Sequence, residues 1–476
     1  MKKDVIIYTL GVLLSRGISL IIIPIYIGYI TIEEFGRIDL INQITNFIIL
    51  ITCLEITQGL SRYFYDSSDQ ERAIYIKSAF WFSLSIQSIF LTVTLSSSHF
   101  LAQWIFGNES YSFEIQLMGC IAFFAMLNSF FTSLFIISKQ AKNQGINSIL
   151  YTAVSGLTTL FFVVNLQYGI LGVLYGLLSA YFLSSLYGYY KFRKSISFSW
   201  SKKHTFKMLF FSLPLVFSSS SIYILNYFDR FMISSMLDTS ALGIYSLGFK
   251  LSLVGGISFS VFKLIITPFV FENYKFDNFH SRLENIVKVF FIVVVITLVF
   301  SDLFSKELID LFADERFNSA APLIKYFVVS SAAFTTINFF PGMKLAKKTI
   351  PLSLIIISSA LLNIGLNFVM IPHLGLYGAA LATCVANVFM AILNCFFSKR
   401  FLPQKTGYLA FPFLYIIAYL YSAEYFFQLI PEFNEISIRI FLFILVVSFS
   451  ILIIDPKFQM LKFILKTKYA SNLWHN

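Results

Sequence analysis

Gly169-Ile170-Leu171-Gly172 and Gly375-Leu376-Tyr377-Gly378 each open a long apolar run, and they stand 206 positions apart. Two further echoes share that spacing. Phe35-Gly36 matches Leu242-Gly243 at an offset of 207, and Lys139 and Lys142 match Lys344 and Lys347 at 205. Three near-equal offsets point to an internal duplication. Apolar runs of this length, without polar residues at alternate positions, read as helices that cross a bilayer and not as barrel strands. Six runs separate equivalent helices, so both halves hold the same orientation and are related by an axis along the membrane normal. Such symmetry places a substrate pathway between the halves.

Runs of this kind fill the chain. They cover 5–30, 38–60, 78–98, 113–137, 146–166, 169–190, 208–236, 242–270, 286–304, 322–343, 350–371, 375–397, 408–421 and 437–454, with 408–421 the weakest. Of the 476 residues, 57% are hydrophobic and 12% charged, against roughly 45–50% and about 25% in a soluble domain. A water-soluble fold is excluded. The expected fold is an all-α polytopic membrane protein of about fourteen helices. Residues 1–207 form a six-helix half with a basic linker, 208–397 a second half, and 398–476 two added helices with a basic tail.

The 35 Lys and Arg against 24 Asp and Glu lie in short clusters between the runs, where they set topology and do not suggest nucleic-acid binding. One set of alternate loops holds 26 of them, and the other only Arg37, Lys306 and Arg316. Both termini are therefore expected in the cytoplasm. Met1-Lys2-Lys3-Asp4 imitates a secretory signal, but the run that follows is too long, carries Arg16 and Pro24, and has no small-residue cleavage pattern. It reads as the first span. Cys53, Cys120, Cys384 and Cys395 all lie in apolar runs without CxxC spacing, so no disulfide framework or zinc site is expected.

With short loops on both faces, function is expected between the helices. Asn363-Ile364-Gly365-Leu366-Asn367, continuing through Ile371-Pro372 into Gly375-Leu376-Tyr377-Gly378-Ala379-Ala380-Leu381-Ala382-Thr383, resembles the multidrug/oligosaccharidyl-lipid/polysaccharide exporter superfamily, as do the duplicated halves and the Phe35-Gly36 turn. The resemblance covers at least the first twelve spans. Within the superfamily, the two added spans, the length and the basic loops resemble the Wzx-type oligosaccharide flippases. That resemblance implies a MATE-like fold, alternating access, and transfer of undecaprenyl-pyrophosphate-linked O-antigen or related repeat units across the bacterial inner membrane. It implies no cofactor, and as partners the lipid-linked oligosaccharide, the bilayer, and the polysaccharide polymerase and chain-length machinery.

Charged residues inside a membrane are costly and usually mark pathways or pairs. Arg16 lies about eleven residues, roughly 16 Å, into the first run. It reads either as a cavity residue that attracts an anion or as one half of an ion pair with Glu55 or Asp39. Tyr223, Asn226 and Arg230 fall at i, i+3 and i+7, one helix face. That face suits substrate contact or interhelical hydrogen bonding. Lys250 lies roughly 12 Å inside its run and reads as a phosphate contact or as a side chain that snorkels to the outer headgroups. Asp39, Gln43 and Asn46 form a second polar stripe suited to sugar hydroxyls or to neighbouring helices. Glu55 and Asp229 are the candidates for ion coupling; Glu55 equally suits a pairing with Arg62, and Asp229 is expected to point away from Arg230. Ser359, Asn363 and Asn367 favour helix packing. Lys263, Lys325 and Arg439 are expected to reach headgroups. The 18% aromatic content reads as lipid contact more than sugar stacking.

No catalytic constellation is present: His99, His204, His280, His373 and His475 are scattered, and there is no HExxH helix or Gly-rich loop ending in GK[ST]. A membrane-embedded glycosyltransferase or polymerase remains as the enzyme alternative. Among transporters, a drug or cation exporter should offer buried acids to its substrate, whereas the first run carries Arg16. Arg16, Arg230 and Lys250 together favour an anionic diphosphate, which Arg grips bidentately. A flippase for the peptidoglycan precursor stays open beside the oligosaccharide flippase.

Overall fold

The structure is a computed structural model, and it describes residues 22–346, 348–402, 419, 439–440 and 442–448. Among the described residues there are helices and turns and no strand. Nine of these helices are long and apolar enough to cross a membrane, and the number is ten where the bent pair Ile32–Cys53 and Ile56–Phe64 counts as one span. The chain is an all-α polytopic membrane protein.

The second span opens six residues, nearly two turns, earlier than the hydropathy suggests. Thr31 accepts from the backbone N–H of Glu34 (3.1 Å) while the Glu34 carboxylate accepts from the N–H of Thr31 (2.8 Å), so α1 (Ile32–Cys53) starts on a reciprocal cap. It does not run on to residue 60. At Leu54 and Glu55 the backbone turns left-handed (φ 49° and 52°), and α2 (Ile56–Phe64) leaves at an angle of 51°. Neither proline nor glycine marks this break. One of the groups it frees, the Leu54 carbonyl, accepts from Ser212 Oγ at 2.7 Å.

Then follow α3 (Asp69–Ser96), α4 (Ser98–Phe106), α5 (Ser112–Ile137), α6 (Ala141–Leu160) and α7 (Gly169–Phe192). The basic linker leads into α8 (Lys202–Met236) and α9 (Thr239–Asn273), each of 35 residues and each continuing through a proline, Pro214 and Pro268. Next come α10 (Phe279–Leu303), α11 (Ser305–Phe312), α12 (Ile324–Thr336), α13 (Gly342–Leu345), α14 (Thr349–Leu374) and α15 (Leu376–Ser398). The span expected over 322–343 is shorter than its apolar run. Pro322 sits in a 3-10 segment, Glu315–Leu323, and Pro341 stops the chain before α13, which leaves 13 residues of α-helix. Of the expected first span only residues from 22 onward are described, and 22–27 are helical. The expected span 408–421 lies outside the described residues except for Tyr419, and 437–454 is helical over 439–440 and 442–448.

The chain forms two compact units. The first comprises Met1–Ser246 with Phe312–Asp314, and the second Leu247–Leu311 with Glu315–Asn476. In the first, α1 packs on α3, α5, α7 and α8, and α2 packs on α8. Ile56, Leu60, Tyr75, Phe80, Phe131, Phe135 and Met208 make a buried cluster at the end where the linker attaches. Ile196 from the linker enters that cluster, and its carbonyl accepts from Trp81 Nε1 at 3.3 Å.

In the second unit α15 packs on α12 and α14. Asn363 donates to Thr383 Oγ1 (3.1 Å), Asn387 to Ser330 Oγ (2.9 Å) and Asn367 to Asn363 Oδ1 (3.1 Å), all fully buried or nearly so. Lipid offers no hydrophobic force between helices, so such bonds and small residues hold them. Lys325 and Arg439 do not reach for headgroups. Lys325 is buried beside Asp302 (3.5 Å), and Arg439 pairs with Glu307 (2.6 Å). The nearby carboxylates, outside the apolar windows read for each lysine or arginine, are what the hydropathy pattern leaves out. The four cysteines are free.

Candidate functional site

The site grows from the first turns of α1 and α9, which stand at equivalent positions at an offset of 207. Thr31 caps α1; Asp238, at the equivalent position, accepts from the N–H of Ala241 (2.6 Å) and caps the start of α9. Four residues into each helix stand Gly36 and Gly243, and the two backbones cross there. A Cβ on Gly36 would lie 1.9 Å from the Thr239 carbonyl oxygen, and one on Gly243 would lie 2.2 Å from that of Ile32. Ile32 and Thr239 are themselves equivalent. The contact is reciprocal, and only glycine admits it.

One turn further along, the next equivalent pair also meets: Ser246 Oγ donates to Asp39 Oδ2 at 2.8 Å. Asp39 accepts from Arg230 Nε (3.0 Å) at the same oxygen. Arg230 Nη1 donates to Asp229 Oδ1 (3.0 Å) and to the Asn226 carbonyl (3.1 Å), and the Tyr245 hydroxyl donates to Asp229 Oδ2. Asp39, Asp229, Arg230, Tyr245 and Ser246 are all buried, with Arg230 only 1% exposed. Charges this deep are held by pairing and hydrogen bonds from several helices, because an isolated ion there would neutralise or unfold the site. Asp229 therefore does not point away from Arg230, as the sequence suggests; it turns back to bind it.

Beside this network, Tyr223 donates to the Gln43 carbonyl at 2.6 Å and lies 3.0 Å from Gln43 Oε1. The Asn226 amide donates to the Ile222 carbonyl of its own helix (2.8 Å). Asn46 is exposed. Asp39, Gln43, Tyr223, Asn226, Asp229 and Arg230 thus come together in the first unit. Glu55 does not join them. It sits half-buried at the α1–α2 break; its carbonyl accepts from the N–H groups of Gln58 and Gly59, while its carboxylate makes no hydrogen bond or ion pair among the described residues and none to Arg62, which pairs with Asp66. Lys250 follows Ser246 by four residues on α9, is half-buried and belongs to the second unit. Arg16 lies outside the described residues.

Tyr245, Ser246 and the glycine crossing are the residues sequence inspection misses. Serine and tyrosine cost little in an apolar run and raise no flag. Ser246 was nevertheless reachable, since it stands 207 residues after Asp39, the offset already visible in the glycines. Among the described residues no group of three His, Cys, Asp or Glu side chains is arranged to hold a metal ion.

Residues 1–273 match the family model described as polysaccharide biosynthesis protein. An Lsg locus protein of Haemophilus influenzae is 25% identical over 293 residues, 57% of this chain and 66% of its own length. The match thus spans just under two thirds of that relative. Among solved structures, the lipid II flippase MurJ in an inward closed conformation aligns with a TM-score of 0.72 at 14% identity, over 95% of this chain and 99% of that one. An inward-facing multidrug resistance MATE family transporter of the MOP superfamily aligns with a TM-score of 0.65 at 16% identity, over 81% and 94%. Identities this low speak for the fold. The family match covers more than half of the chain, which therefore belongs to the polysaccharide biosynthesis protein family and shares its fold with these two structures.

Proposed function

We propose that the protein is a flippase that moves an oligosaccharide linked to undecaprenyl diphosphate, such as an O-antigen or related surface-glycan repeat unit, across the bacterial inner membrane. One observation carries the reading: a polysaccharide biosynthesis family is built on the fold of membrane transporters that includes a lipid flippase. A diphosphate and several sugars cannot cross hydrocarbon unaided. The fourteen spans, the duplicated halves at 1–207 and 208–397 with 398–476 appended, and the cytoplasmic termini belong to the same proposal, as does alternating access. Arg16 and Lys250 are the cations assigned to the diphosphate. Arg230 is assigned a supporting part, because two carboxylates already engage it. Glu55 remains the candidate for coupling to an ion gradient.

The test is a clean deletion. Lipid-linked repeat units should accumulate in the inner leaflet and surface glycan should disappear, with drug sensitivity unchanged. Normal surface glycan, or new sensitivity to cationic dyes, would point to an exporter. A peptidoglycan-precursor flippase is the second reading, favoured by the coverage of MurJ along nearly the whole chain. It predicts rescue of a strain depleted of its own precursor flippase, and the oligosaccharide reading predicts no rescue.

A further inference from the structure

Phe47 on α1 and Tyr223 and Tyr227 on α8 form a tier of rings within the first unit. The Phe47 and Tyr223 centroids lie 5.3 Å apart with planes at 31°, and those of Tyr223 and Tyr227 lie 4.9 Å apart at 38°. The two tyrosines are four residues apart on one helix face. None of the three is fully buried. The aromatic content of the chain reads as lipid contact, but the neighbours of this tier tell against that here. Asn46, next to Phe47, is exposed although it lies 14 residues into the 22-residue α1, about 21 Å from its start and about 10 Å from its end, and hence within a hydrocarbon core about 30 Å thick. An amide open at that depth is costly in lipid, so this surface meets water.

The tier is also built to hold its shape. Gln43 takes the Tyr223 hydroxyl on its backbone oxygen, with the side-chain oxygen close by. At the far end the Arg230 guanidinium lies 5.0 Å from the Tyr227 ring centroid. Its charge is engaged by Asp39 and Asp229, so this wall is poorly suited to draw in a diphosphate. It is well suited to sugars. The C–H face of a pyranose carries weakly positive hydrogens that aromatic faces accept, and its hydroxyls pair with amides placed beside the rings.

We propose that Phe47, Tyr223 and Tyr227 are the glycan platform of the transporter, on which sugar rings of the lipid-linked oligosaccharide stack while Asn46 and Gln43 meet their hydroxyls. The platform rests on the flippase reading and adds to it the surface that recognises sugar. It therefore discriminates glycosylated lipid from the bare polyprenyl diphosphate.

Native mass spectrometry of the purified full chain tests this with two probes: the glycolipid pool extracted from the deletion strain, and undecaprenyl diphosphate. Wild-type protein should bind the glycolipid more tightly. Tyr223→Leu and Tyr227→Leu should each weaken glycolipid binding roughly three- to tenfold, the scale of one lost aromatic contact, while still binding undecaprenyl diphosphate, which also reports that they are folded. Tyr227→Phe keeps the ring and should restore glycolipid binding. Equal affinity of wild-type protein for both probes, or leucine variants that bind glycolipid as wild type does, would overturn the platform. A parallel loss of both probes would do the same, by assigning the tyrosines to the fold. Binding of neither probe by wild-type protein would remove the flippase reading itself.

Discussion

Asp39 holds three helices at one carboxylate: its own α1, α8 through Arg230, and α9 through Ser246. Its two bonds differ in kind, and so should the cost of losing each. Asp39→Ala breaks a buried ion pair and leaves the guanidinium undercompensated, which typically costs about 3–5 kcal/mol. Ser246→Ala removes one hydroxyl donor and should cost about 1 kcal/mol. Thermal unfolding in detergent, read together with the amount of protein in the membrane, should rank Asp39→Ala well below Ser246→Ala, with Asp39→Asn between them because its amide oxygen still accepts. An Asp39→Ala protein as stable as wild type would contradict the pairing. At this scale the sequence was most legible where a charge interrupts an apolar run. Asp39, Asp229 and Arg230 stand out on cost alone, whereas their partners Tyr245 and Ser246 do not. Which way Asp229 turns is decided by the Tyr245 hydroxyl, which comes from another helix and leaves no trace in local periodicity.

At the scale of the helix, the offset of 207 that first appears as a match between two Phe-Gly-like turns becomes a contact: equivalent residues of α1 and α9 lie against each other. The repeat itself was visible because glycine is rare in long apolar runs and because caps recur at fixed offsets. Its closing geometry was not, since sequence similarity gives equivalence and not adjacency. Gly36→Val places branched carbons where the Thr239 carbonyl oxygen sits, 1.9 Å from the first of them. The crossing must open, and export should fall to background in a complementation assay. Gly365→Ala, where no atom lies within 4 Å of the added carbon, is the matched control and should export normally. Wild-type export by Gly36→Val would refute any role for close approach. The break at Leu54 and Glu55 marks the other limit of legibility. A serine on α8 satisfies a carbonyl it frees, and no breaker residue announces it. The broken span therefore reads as continuous until the third dimension is known.

Across the molecule, hydropathy alone assigned the class, since nearly every described residue is helical and nine of the described helices are long and apolar enough to cross a membrane. It was least dependable where proline shortens a helix inside an unbroken apolar run, as between Pro322 and Pro341. Orientation is a separate matter, because it depends on where the charges end up when the chain inserts. The stretch from Lys191 to Lys207, running from the last turn of α7 through the linker into the first turns of α8, carries Lys191, Arg193, Lys194, Lys202, Lys203 and Lys207 without an acidic residue. The segment around α4, from residue 98 to 112, has neither lysine nor arginine. Loops rich in Lys and Arg stay on the cytoplasmic side. Phosphatase and fluorescent-protein reporters fused within 195–203 should thus report cytoplasm, and those within 98–112 the opposite face. The two sites are separated by three crossings, α5, α6 with its terminal turn, and α7, an odd number that independently requires opposite sides. If both reporters gave the same side, one of those helices would not span. If both were reversed, the spans would stand but the charge bias would not set the orientation, and the cytoplasmic placement of both termini would be wrong.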